Sequence, residues 1–208
     1  MQVRIPPAMT PAMTPVEQLT ARITACDLCR ERFAGTATAH APRPVPWLSA
    51  AAPVLISGQA PGMQVHRKGQ PFDDPSGDRL RDWMGVDRET FYDRSKIAVL
   101  PMSFCFPGYN EKGSDLPPPP VCRKTWHDAA MAAMAQVRLV LVIGGYAQSY
   151  HLGTRNVTET VANWQTHVPR YLPLPHPSWR NTGWLGKNPW FEAEVLPWLR
   201  PRIAKLIG

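Results

Sequence analysis

Two loops more than a hundred residues apart hold the side chains best suited to chemistry. The first is Gly58-Gln59-Ala60-Pro61-Gly62, running on to Gly69-Gln70-Pro71-Phe72; the second is His176-Pro177-Ser178. A Gly/Pro loop lets backbone approach a small flat ligand closely, and a histidine can donate a hydrogen bond to an oxygen of that ligand. The first loop follows the apolar run Val54-Leu55-Ile56 and the second follows Tyr171-Leu172-Pro173-Leu174. Each therefore reads as a loop at the end of a buried strand, where open α/β sheets bind ligands.

The four cysteines form a second constellation: Cys26-x-x-Cys29, then Cys105, then Cys122. Four thiolates suit a tetrahedral zinc ion or a [4Fe-4S] cluster, since both take four sulfur ligands at one site. Spacing does not choose between them, and it leaves open a thioredoxin-like redox pair or unrelated buried thiols. A redox pair normally opens a helix after a strand, whereas Cys26 and Cys29 fall near the end of an expected helix.

The elements that must position these groups alternate. Strands are expected over 53–57, 96–102, 138–143 and 171–174. Helices are expected over 16–33, 76–84 capped by Ser76, 87–92 capped by Asp87, 121–136, 144–153, 157–164 and 190–206. Runs such as Leu139-Val140-Leu141-Val142-Ile143 are apolar without a break, as in strands buried on both faces. The expected class is α/β, a three-layer α/β/α sandwich with a short central parallel sheet. The 208 residues, 44% of them apolar, fit one domain over 16–208 after a loose Pro-rich tail over 1–15.

Lys plus Arg number 23 against 16 Asp plus Glu, a formal charge of +7 that favours polyanionic partners. No apolar stretch approaches the roughly 20 residues needed to cross a bilayer. The first fifteen residues lack the apolar segment of a secretory signal, so a cytoplasmic location is expected.

Together, Gly58-Gln-Ala-Pro-Gly62 with Gly69-Gln-Pro-Phe72, the Cys105-Phe-Pro-Gly108 loop, His176-Pro-Ser178 and the interleaved cysteines resemble the uracil-DNA glycosylase superfamily, and within it the iron-sulfur family-four enzymes. The resemblance runs from about Cys26 to the C-terminus. It implies a glycosylase that flips uracil or a related deaminated base out of DNA and hydrolyses its N-glycosidic bond, leaving an abasic site. It also implies a [4Fe-4S] cluster on Cys26, Cys29, Cys105 and Cys122, DNA as partner, and a monomer. Phe72 matches the aromatic that stacks on uracil. His176 matches the donor to uracil O2, which steadies the anionic leaving group. The amides around Gln59 and Ala60 would approach the uracil carbonyl, Pro61 and Gly62 would press on the DNA backbone, and Ser178 would bind phosphate.

The loop after His176 resembles the family's intercalation loop, with Trp179 and Arg180 as wedge candidates. Arg67, Lys68, Arg180 and Lys187 would form a positive rim for phosphates. Two positions depart from the family's pattern. Gln59 stands where a glutamate is expected, so His66, Asp73 or Asp74 are the candidates to compensate. Pro101 stands where an asparagine reads the base edge, so Ser103 or Asn110 would have to substitute. The alternatives are a DNA-binding homologue that keeps fold and cluster without turnover, and a small-molecule-binding α/β protein.

Overall fold

The computed structural model describes residues 13–154 and 156–208. Its centre is a sheet of four parallel strands in the order β2-β1-β3-β4, with β1 Val54–Ser57, β2 Ile97–Val99, β3 Leu139–Ile143 and β4 Tyr171–Leu174. The helices in chain order are α1 Pro15–Thr24, α2 Arg30–Ala34, α3 Met63–Lys68, α4 Pro75–Met84, α5 Arg88–Tyr92, α6 Pro120–Ala133, α7 Gly144–Leu152, α8 Val157–Ala162, α9 Thr182–Lys187 and α10 Leu196–Ile207. A π-helical segment, Phe191–Val195, leads into α10.

Side chains alternate across the sheet, and both faces are buried. Val54, Ile56, Leu139, Leu141, Ile143, Leu172 and Leu174 pack with residues of α4, α5 and α10. Leu55, Ala98, Val140 and Val142 pack on the other face with residues of α1, α6 and α7. The expected three-layer α/β architecture holds. Pro173 lies in β4, an edge strand, where the missing N–H removes no ladder bond on the open side.

Several boundaries differ from expectation, each for a local reason. The helix expected over 16–33 is two helices. α1 ends at Thr24, and Cys29 occupies the N-cap of α2, so Cys26 and Cys29 lie in the connector and its junction. Thr14 and Glu17 close a capping box at the start of α1. Helix α4 is capped by Asp74 rather than Ser76: Pro75 takes the first helical position, and the Asp74 carboxylate accepts from Gly77 N at 2.9 Å. Asp87 does cap α5. Residues 63–68 are helical although expected as loop. Of the expected tail, residues 1–12 lie outside the described residues, and Pro15 opens α1. Among the described residues no helix is long and apolar enough to cross a membrane.

Buried polar side chains fasten the strand ends. Ser57 Oγ donates to Leu100 O at 3.0 Å and accepts from His151 Nε2 at 2.9 Å. His127 Nε2 donates to Pro101 O at 2.9 Å, and Gln148 donates to Leu174 O at 3.0 Å. Burial holds His151 well below its ordinary value, down to about 4, helped by His127 and Arg170. Above pH 6.5 the ring is neutral folded or unfolded; below it the unfolded chain binds the proton first. Stability is therefore lost as pH falls from about 6.5 through 4, and a displacement of that size corresponds to about 3 kcal/mol. Thermal denaturation from pH 7 to pH 4 is expected to show a steep fall in Tm that is shallower in His151→Gln.

Candidate active site

Four strand ends converge on one cleft of about 710 Å³, a size that holds a small ligand. Gly58 to Gly62 follow β1, Pro101 follows β2, Ile143 ends β3, and His176 and Ser178 follow β4. Strand β1 has β2 on one side and β3 on the other, so the chain reverses its direction of growth there, and the Gly58 loop stands at that switch point. The loop is tied down by its own backbone: Met102 N donates to Gly58 O at 2.8 Å and Ser103 N to Gln59 O at 3.2 Å.

Phe72 is held in a conformation that side chains rarely adopt. Its φ is +55°, in the left-handed region, where a bulky residue costs about 1–2 kcal/mol. Neighbours hold it there. Arg81 Nη1 donates to Phe72 O at 3.3 Å and Tyr92 Oη to Pro71 O at 3.0 Å, while Phe91 meets the ring edge to face at 6.1 Å. Arg81 is itself buried and paired with Asp78 at 2.6 Å. The Phe72 ring tip lies 3.8 Å from where a Gly58 side chain would begin, so the ring overhangs the Gly58 loop.

His176 lines the same cleft as Phe72 and has a defined tautomer. Ser178 N donates to His176 Nδ1 at 3.2 Å, so the neutral ring carries its proton on Nε2. Asn181 Nδ2 donates to His176 O at 2.7 Å, and Arg79 Nη1 donates to Ser178 O at 2.9 Å, which fixes the loop to α4. Burial lowers the His176 pKa despite the opposing pull of Asp74 and Asp115. The group is thus a neutral donor near pH 7.

Most of the sequence-derived residues meet here and some do not. Gln59, Ala60, Pro61, Gly62, Phe72, His176, Ser178, Trp179 and Arg180 line the cleft. Trp179 is 72% exposed at its mouth, with the Arg180 guanidinium 5.9 Å from its ring. Lys187 is exposed at the end of α9, outside the cleft lining. His66 lies outside it too, against His40 and Phe106, its pKa lowered first by burial. Asp73 is held by Lys68 at 3.0 Å and Arg88 at 2.9 Å, and these partners lower its pKa. Ser103 is buried and donates to Cys105 O, and Asn110 Oδ1 accepts from Lys112 N and Ser114 N within a turn. Pro101 does line the cleft.

Two carboxylates line the cleft. One is Asp74, named from the sequence; the other is Asp115, which sequence reasoning missed. Burial raises the Asp115 pKa against the lowering influence of Arg180 and His176. The only signal in the sequence was an acid in the long loop after β2, between Gly113 and the proline run.

All four thiols line a second, mostly apolar cavity with Ile23, Leu28, Pro44 and Trp126. All four are free of disulfides. Burial pushes the Cys105 thiol up to about 12 and the Cys122 thiol to about 11, with the neighbouring thiols adding to the rise. Phe104 N donates to Cys122 Sγ at 3.4 Å. Among the described residues, no three His, Cys, Asp or Glu side chains are grouped so as to hold a metal ion.

A methyl at Gly77 would fall 1.7 Å from Phe72 O. The helix-propensity gain of Ala over Gly, about 1 kcal/mol, cannot offset such an overlap. Gly77→Ala is expected to cost about 1–3 kcal/mol net in thermal or denaturant unfolding as Phe72 is displaced. Gly58→Ala, which meets only ordinary contact at 3.8 Å, should be far milder.

The sequence was compared with protein-family models. The model of the uracil DNA glycosylase superfamily matches residues 45–200, a span that includes the cleft loops, Cys105 and Cys122 but begins after Cys26 and Cys29. A match over that much of the chain, on a four-stranded parallel α/β sandwich with its cleft at the strand ends, places this protein in the uracil-DNA glycosylase superfamily.

Proposed function

We propose that the protein is a DNA glycosylase that hydrolyses the N-glycosidic bond of uracil or a related deaminated base, acting as a monomer in the cytoplasm. The observation that carries this reading is the pairing of His176 Nε2–H with the Phe72 ring in one cleft. An aromatic face can hold the base, and a fixed neutral donor can steady the negative charge that gathers on it as the bond breaks. The neutral imidazole can hydrogen-bond the departing base through Nε2–H while keeping its proton, so the base leaves as a stabilised anion. Trp179, exposed beside the cleft, offers a planar surface to replace the stacking lost when a base leaves the duplex.

A [4Fe-4S] cluster on Cys26, Cys29, Cys105 and Cys122 belongs to the same reading. Four free thiols on one apolar cavity suit it as a donor set. Four thiolate sulfurs could also hold a single zinc ion, each about 2.3 Å from it. A [4Fe-4S] cluster likewise takes four cysteine thiolates at one site, and the interleaved order of the four cysteines favours it in this reading. Bound there, it would supply a structural tie between the α1–α2 connector and the loop before α6. Its binding would displace protons from thiols that burial keeps protonated.

A labelled oligonucleotide containing uracil, treated with alkali after incubation, tests the activity. Strand cleavage is expected, and His176→Ala should lower the single-turnover rate by a hundredfold or more. A band shift without cleavage would favour the non-catalytic DNA-binding alternative, which Gln59 and Pro101 motivate. Protein purified without oxygen is expected to be brown, to contain iron and sulfide, and to lose colour and melting temperature together in Cys105→Ser. A colourless protein with stoichiometric zinc would refute the cluster.

A further inference from the structure

We propose that Asp115 is the carboxylate that takes the proton from the attacking water, in place of the carboxylate absent at Gln59. The assignment rests on the glycosylase reading above.

Asp115 is delivered to the cleft by a small folded hairpin. Tyr109 and Asp115 form an antiparallel bridge, and Leu116 N donates to Gly108 O at 2.8 Å. Between them, Asn110 N donates to Ser114 O and Gly113 N to Asn110 O, both at 2.9 Å. Gly108, at φ +95°, packs so closely on Thr36 that a Cβ would meet it at 2.8 Å, which anchors the hairpin to the segment after α2. The backbone of Asp115 is therefore set by bonds on both sides.

The two carboxylates in the cleft differ in what holds them. Asp74 caps α4, with an oxygen committed to Gly77 N. Asp115 lines the cleft with no side-chain hydrogen bond or ion pair among the described residues. Asp115 is exposed on the cleft wall, so its carboxylate is open to water and to a ligand, and the partial desolvation it does undergo there raises its pKa. The charges that act on it are those of His176 and Arg180 from the loop after β4, and Asp74 shares the cleft. His176 and Asp115 thus divide the work, one toward the departing base and the other toward the sugar.

The step balances with water as the only co-reactant. The bond between the sugar C1′ and the base nitrogen breaks, and its electron pair leaves on the base as an anion held by His176 Nε2–H. The water oxygen bonds to C1′, and one water proton passes to the Asp115 carboxylate. The other stays as the hydroxyl of the abasic sugar. Asp115 then returns its proton to solvent, from which the released base anion takes one.

Asp115→Asn in the full-length chain is the test, read by single-turnover cleavage of the uracil oligonucleotide beside a band-shift titration. The rate is expected to fall a hundredfold or more with affinity and melting temperature retained, and Asp115→Glu should recover part of it. Asp73→Asn, whose carboxylate serves two surface ion pairs, should cleave like the unsubstituted protein. Asp115→Asn cleaving at the full rate overturns the assignment and leaves the glycosylase reading standing. A rate loss matched by an equal loss of affinity or melting temperature makes the role structural and also overturns it. No cleavage by the unsubstituted protein overturns the reading and the assignment together.

Discussion

Every group in the cleft depends on the parallel pairing of β1 with both β2 and β3. Parallel strands need long crossovers, and the crossovers here place helices on both faces while all four strand ends point one way. Because the faces are filled by alternating apolar side chains, register cannot slip by one residue without turning Leu55 and Val140 to the wrong layer. That register sets Gly58, Pro101, Ile143 and His176 around one opening. The polar bonds from His151, His127 and Gln148 to the strand ends act at the same edge and fasten the backbone where the cleft begins.

On this scaffold the two principal groups are held in opposite ways. Phe72 is kept in a disfavoured backbone conformation by Arg81, Tyr92 and the close approach of Gly77. Strain of this kind persists only where surrounding contacts outweigh it, and it gathers at sites that bind or react. His176 is unstrained but chemically committed, since one backbone N–H decides which ring nitrogen bears the proton. Burial then keeps the ring neutral. Geometry fixes the Phe72 ring, and electrostatics fixes the protonation of the His176 ring.

Patterns set by neighbours in the chain were legible, and patterns set by distant contacts were not. The apolar runs of β1 and β3 announced buried parallel strands, and Gly144 and Gly153 marked both ends of α7. The Asp74 cap could have been read, because Pro75 at the first helical turn puts the cap one residue earlier. The break between α1 and α2 was hidden, since the apolar spacing continues across it to Phe33 while Cys29 caps a new helix. His66 and Asp73 were sound choices by proximity to the first loop, yet α3 and the ion pairs with Lys68 and Arg88 take them elsewhere. Asp115 was invisible because its neighbours in the cleft, Asp74 and His176, are brought to it only by the sheet.

The central claim is that this cleft receives one base turned out of DNA. The most direct measurement is a crystal structure with an oligonucleotide carrying a uracil nucleotide whose glycosidic bond resists hydrolysis. The account predicts the base in the cleft, its ring on Phe72, His176 Nε2 donating to a base oxygen and Trp179 at the vacated stack. A uracil left paired and stacked in the DNA, with the cleft facing away from it, would contradict it.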